Sequence, residues 1–163
     1  MARGRTPLPR MTRTIVQFAV PIFAVLALAA PAGGAVRLDR AERSAIRHIN
    51  GLRAAYGLAP VRPARKLNRS AERHSTDMWL RGFFDHTSSD GTPFHIRVRR
   101  YVGQRAVGET IAWLTRRRGA GAAVYRMWRD SPPHRAILLE PGFRRIGVAR
   151  RGGRWTADFA SRR

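Results

Sequence analysis

Cysteine is absent from all 163 residues, and that one absence excludes several chemistries together. No disulfide staples the chain, no thiolate serves as a nucleophile, and no cysteine-ligated zinc or iron–sulfur centre can form. Lysine is almost missing as well: Lys66 stands alone against 31 arginines. Carboxylates are scarce, 10 against 32 basic residues, so the formal charge is +22. Long hydrophobic runs are lacking too. The longest, Phe18 to Ala30, covers 13 residues and contains Pro21, whereas a membrane span usually takes about 20 apolar residues. No internal repeat is found, and no helix-turn-helix, zinc-finger or aromatic RNA-binding motif accompanies the arginines.

What is present begins with a leader-like segment. Arg3, Arg5, Arg10 and Arg13 precede the apolar run, and Ala30-Pro31-Ala32 or Gly33-Gly34-Ala35 follows it. That is the order of an export signal over residues 1–35, with an uncleaved N-terminal anchor as the alternative. Met11 would start an equally complete signal. The remainder, residues 36–163, has the length of one domain. Four tryptophans give it large apolar area. It carries 28 basic and 10 acidic residues, a net +18. Such a surface attracts polyanions and anionic membranes in a salt-dependent way. Arginine-rich composition from a GC-rich genome explains the same charge without a partner.

The pattern reads as helices followed by strands mixed with helices. A first helix runs from the cap Asp39 to about Tyr56, with Ala45, Ile49, Leu52 and Tyr56 as its buried stripe. Residues 58–65 form an extended connection. A second helix spans about Asn68–Arg81, with Leu67, Ala71, His74 and Met78 on one face. A loop and a short helix near Pro93–Tyr101 follow. Val107–Leu114 is a strand whose Val107, Glu109, Ile111 and Trp113 share a face. Gly119–Arg129 is a helix buried through Ala120, Ala123, Val124, Met127 and Trp128. Pro132-Pro133 stops it. Strands Arg145–Ala149 and Arg154–Ala160 close a hairpin at Gly152-Gly153. The expected class is α+β.

Three polar residues sit inside otherwise structural phrases: His86 in Phe83-Phe84-Asp85-His86, Glu109 in Gly108-Glu109-Thr110-Ile111-Ala112 and His134 in Ser131-Pro132-Pro133-His134-Arg135. Together with Asn50-Gly51-Leu52-Arg53, the Leu67 to Met78 helix, Met127-Trp128 and Trp155-Thr156-Ala157-Asp158-Phe159, they fall in an order that resembles the CAP superfamily, the SCP-like extracellular domain, in its short cysteine-free bacterial form. The resemblance covers about residues 42–160. It implies a three-layer α-β-α sandwich, with a small, mostly antiparallel sheet between helical layers. It also implies a shallow cleft holding a His/Glu tetrad, of which His86, Glu109 and His134 are three members. Ser131 stands where the remaining glutamate belongs, with Asp130 one residue earlier. Thr110 and Pro133 replace a usual Asn and Gly.

Two imidazoles and a carboxylate suit Zn²⁺ or another divalent cation, so His86, His134 and Glu109 are the expected metal donors. Without metal, Glu109 would favour the charged form of a bonded histidine and form an acid–base pair. In a purely structural role, Glu109 would brace the loops that carry the histidines. Asp130, Ser131 and Arg135 complete the expected cleft, Arg135 as a holder of an anionic ligand. His74 is expected to be a packing residue, His48 and His95 to lie at the surface, and Asp77 and Asp158 to be local braces. The reading favours a monomeric secreted or envelope-associated binding module. Its rivals are a metal-assisted hydrolase of wall or lipid substrates and a lipid carrier; the resemblance implies no uniform enzyme chemistry. An anionic envelope polymer or lipid is the expected partner, without a specific nucleic-acid role, and a membrane enters only if the signal stays uncleaved.

Overall fold

The computed structural model describes Met1, residues 36–103 and residues 106–162. The signal read at residues 1–35, Met1 aside, lies outside the described residues. Gly34–Arg163 forms one compact unit, built as α1 (Arg40–Ala55), β1 (Arg62–Pro63), α2 (Arg65–Leu80), α3 (Phe94–Val102), β2 (Val107–Trp113), α4 (Ala120–Asp130), α5 (Pro132–Leu139), β3 (Phe143–Arg151) and β4 (Arg154–Ser161).

The sheet order is β1-β3-β4-β2. β1 runs parallel to β3, while β3–β4 and β4–β2 are antiparallel. Alternation along β4 divides the layers. Trp155, Ala157 and Phe159 join Ile46, Ile49, Val124 and Trp128 in the main core, under α1 and α4. On the other face, Thr156 meets Ser75 of α2 at 3.0 Å, and Ala160 packs with Leu67, Val98 and Val102. The result is the α-β-α sandwich. Trp128 and Trp155 are fully buried. Aromatic side chains of this size bury 150–250 Å² each, roughly 4–6 kcal/mol apiece as an upper figure.

Local chemistry explains the elements. Asp39 accepts from the Glu42 amide at 2.7 Å, and Glu42 accepts from the Asp39 amide at 2.8 Å, a reciprocal cap that fixes where α1 starts. The β3–β4 turn uses Gly152 and Gly153, both at positive φ, as a two-residue hairpin demands. Gly147 allows α2 to lie against β3. A Cβ there would stand 2.1 Å from the Leu67 carbonyl carbon and 2.2 Å from the Asn68 nitrogen.

Three readings of the helices are corrected. Residues 132–139 form α5, with the prolines in its first turn, where a missing N–H costs nothing; they start a helix as well as ending one. Tyr56 is 52% exposed because it lies just past the end of α1, and Met127 is 43% exposed at the edge of the α4 stripe. Arg53 takes the buried place on α1 instead. It has no exposed surface and donates to the carbonyls of Ala59, Leu138, Glu140 and Phe143 at 2.7–3.1 Å. Its guanidinium N–H donors tie the α1–β1 connection, through Ala59, to the end of α5 and the start of β3.

Candidate functional site

The loop between α2 and α3 delivers His86, β2 delivers Glu109, and the first turn of α5 delivers His134. The loop is pinned locally. His74 donates through Nε2 to the Asp85 carbonyl at 2.9 Å, and Asp77 accepts from the Ser89 amide and hydroxyl at 2.9 and 2.7 Å. His74 is buried, and burial followed by the Arg97 charge lowers its pKa to about 4. It packs as a neutral ring.

His86 donates through Nδ1 to Glu109 Oε1 at 2.8 Å. The His134 ring centre lies 6.5 Å from that of His86, and the Phe94 ring centre lies 5.9 Å from the same His86 ring. The structure thus brings His86, Glu109 and His134 together. It does not bring the side chains of Asp130 and Arg135 to them. Asp130 is exposed and pairs with Arg129 at 2.6 Å. Arg135 bonds the Tyr56 hydroxyl and stands 5.7 Å over that ring. Ser131 is the N-terminal cap residue of α5 but makes no side-chain capping bond.

Two residues outside the sequence expectation organise the site. Arg97, 5% exposed, bonds Glu109 Oε2 and donates to the His86 carbonyl at 3.0 Å and the Ser88 hydroxyl at 2.9 Å. One guanidinium therefore clamps the loop onto the carboxylate. Asp158, read as a local brace, is completely buried and is Glu109's partner across β2–β4. Its carboxyl lies beside Glu109 and the Ser70 hydroxyl, and as an ionised group neither of its oxygens has a hydrogen-bond partner among the described residues. Sequence signals existed for both. Phe94, Arg97, Val98 and Tyr101 share helical spacing, which puts Arg97 on the inner face. Asp158 alternates with residues that line the main core, so it had to face α2.

The electrostatics follow from burial. Desolvation raises the Glu109 pKa, and Arg97 opposes that rise. Desolvation and the Glu109 charge push Asp158 well above the usual carboxylate range. One positive partner supports one negative charge, so Glu109 is the anion and Asp158 holds a proton. His86 is pulled down by burial, against Asp85 and with Arg97. His134 is pulled down by burial and then by His86. The expectation that Glu109 would favour a charged histidine is corrected: burial disfavours the charged ring, and Arg97 already pairs with that carboxylate. Both imidazoles are neutral at pH 7 and keep a lone pair for a ligand.

Both oxygens of Glu109 are engaged, by His86 and by Arg97, so it is not placed as a third donor. Among the described residues, no group of three or more His, Asp or Glu side chains is arranged to hold a metal ion. What remains is a two-imidazole set in which a carboxylate orients one ring from behind. No helix among the described residues is long and apolar enough to cross a membrane.

Comparison with known proteins agrees with this architecture. A family model for the CAP, cysteine-rich secretory protein family, matches residues 46–158; the chain belongs to this family, although it has no cysteine. It is 31% identical over 121 residues to the uncharacterized protein YkwD of Bacillus subtilis (strain 168), covering 72% of this chain and 46% of that protein. Among solved structures, it resembles an extracellular SCP-domain protein of Bacillus anthracis with 26% identity and a TM-score of 0.69, over 75% of this chain and 40% of that one. An outer surface protein of Borrelia burgdorferi shares the fold at 18% identity and a TM-score of 0.68, over 78% and 97% of the two chains. The chain thus spans less than half the length of the two Bacillus proteins.

Proposed function

We propose that this CAP domain is an exported binding module whose neutral pair, His86 and His134, takes a divalent cation of the Zn²⁺ type. The observation that carries the reading is the His86 ring, which gives Nδ1 to Glu109 at 2.8 Å and has no protein partner at Nε2 among the described residues. A carboxylate behind an imidazole fixes its tautomer and makes the outer nitrogen a better donor. His134 supplies the second donor, and the open positions are left to water or to a group on the partner molecule. A bound cation would supply Lewis-acid polarisation of that group. Export is supported by relatives described as extracellular or outer surface proteins.

The hydrolase alternative needs a free general base. Glu109 is tied to Arg97 and His86, and Ser131 occupies the position of a second glutamate, so binding is favoured over turnover. Titration calorimetry with Zn²⁺ on protein purified without chelator tests the reading. Binding lost in His86→Ala/His134→Ala supports it. Equal binding by both proteins sinks it.

A further inference from the structure

A second feature lies at the other edge of the sheet, away from the imidazoles. Around β1 an open groove of about 800 Å³ is lined by Arg62, Arg65, Lys66, Arg144, Arg145 and Arg162, with Ala59, Pro60 and Val102 between them. Among the described residues no carboxylate lines it, and none of the six cations has an acidic partner. The arrangement is costly as it stands. Arg62 and Arg145 are direct register partners across β1–β3, and like charges placed opposite each other destabilise a sheet. Arg65 and Lys66 open α2, which has no acidic residue in its first turn and no side-chain cap. Cations at that end oppose the helix dipole. Behind them the buried Arg53 has its pKa lowered, first by burial and then by Arg144. Three separate elements thus converge like charges on one concavity, and an anion would relieve each of the unfavourable contacts.

We infer that this groove is a binding site for a linear phosphate-bearing polymer, separate from the imidazole site. A concave channel seats a chain of linked anions better than a flat bilayer. Guanidinium forks and an uncapped helix start both match phosphate oxygens. Lys66, the chain's single lysine, sits in the groove and serves as a built-in reporter.

The test uses the purified protein with short-chain linear polyphosphate as probe. Six released counterions predict that affinity falls about 100-fold between about 50 and 150 mM salt. Arg62→Gln/Arg65→Gln/Arg145→Gln alters exposed residues only and should cut that dependence to about 10-fold. Arg116→Gln/Arg117→Gln/Arg118→Gln removes the same charge from an exposed loop elsewhere and should leave it near the parent value. Polyphosphate should also protect Lys66 from an amine-reactive label, read by peptide mass spectrometry. Equal losses in the two triple variants, or no protection of Lys66, would overturn the inference by reducing the effect to net charge. Binding to anionic phospholipid vesicles without binding to polyphosphate would overturn the choice of a polymer.

Discussion

Replacing Asp158 by Asn probes the buried charge arrangement most sharply. Asp158 has no exposed surface, and burial together with the Glu109 charge raises its pKa well above the ordinary value. Between the unfolded-state pKa and that raised folded-state pKa, the native protein binds more protons than the unfolded chain. Stability therefore falls as pH rises through this window, by about 1.4 kcal/mol per pH unit for one group. Below the window both states are protonated, so the slope vanishes and the stabilising contribution is fully present. Asn has the shape of the protonated acid and nothing to titrate. Urea denaturation at a series of pH values from about 5 to 8 gives the stability of each protein. Subtracting the two profiles cancels groups not coupled to Asp158, including Glu42, whose burial raises its pKa to about 7, so the difference reads the Glu109–Asp158 pair. The difference should grow in favour of Asp158→Asn as pH increases, with a limiting slope of about 1.4 kcal/mol per unit. Parallel profiles would refute the account in which the buried Glu109–Asp158 pair holds a proton.

Arg97→Met removes the cation beside Glu109 and should cost about 3–5 kcal/mol near neutral pH. The loss should shrink at acid pH, where Glu109 takes up a proton; a loss independent of pH would contradict the ion-pair account. Arg53→Met removes a buried donor from four carbonyls and leaves those of Ala59 and Leu138 without their donor, and urea unfolding should show a loss of at least about 3 kcal/mol. Gly147→Ala drives a methyl into the α2 backbone and should destabilise by at least about 2 kcal/mol. By contrast Gly51→Ala, whose Cβ meets nothing within 4 Å, should gain about 1 kcal/mol of stability in α1; a loss there would mean the helix surface is misjudged.

The parts of the fold that depend on local chemistry were legible in the sequence. Asp39 marked the start of α1, the Leu67 to Met78 stripe marked α2, and paired glycines marked the β3–β4 hairpin. β1 was read only as extended chain, because two residues paired with a strand more than eighty positions away carry no periodicity. α5 was hidden because prolines that end one helix can also begin another. In the site, the three residues that lie in recognisable phrases were found. Arg97 and Arg53 were passed over because a charged residue reads as surface until its partners are known, and Asp158 was read only as a local brace because its partner comes from another strand. Arg135 and Asp130 were drawn in by sequence neighbourhood, but the side chain of each turns to Tyr56 or Arg129.

The central claim is that His86 offers Nε2, beside His134, because Glu109 holds its Nδ1 proton. Long-range proton–nitrogen NMR of the histidine rings at pH 7, followed through a Zn²⁺ titration, tests it directly. Both rings should start neutral, with the His86 proton on Nδ1. Zn²⁺ should then shift His86 Nε2 and one nitrogen of His134 together, while the Nδ1 proton of His86 stays in place. A His86 proton on Nε2 at the start, or rings that do not respond to the metal, would contradict the account.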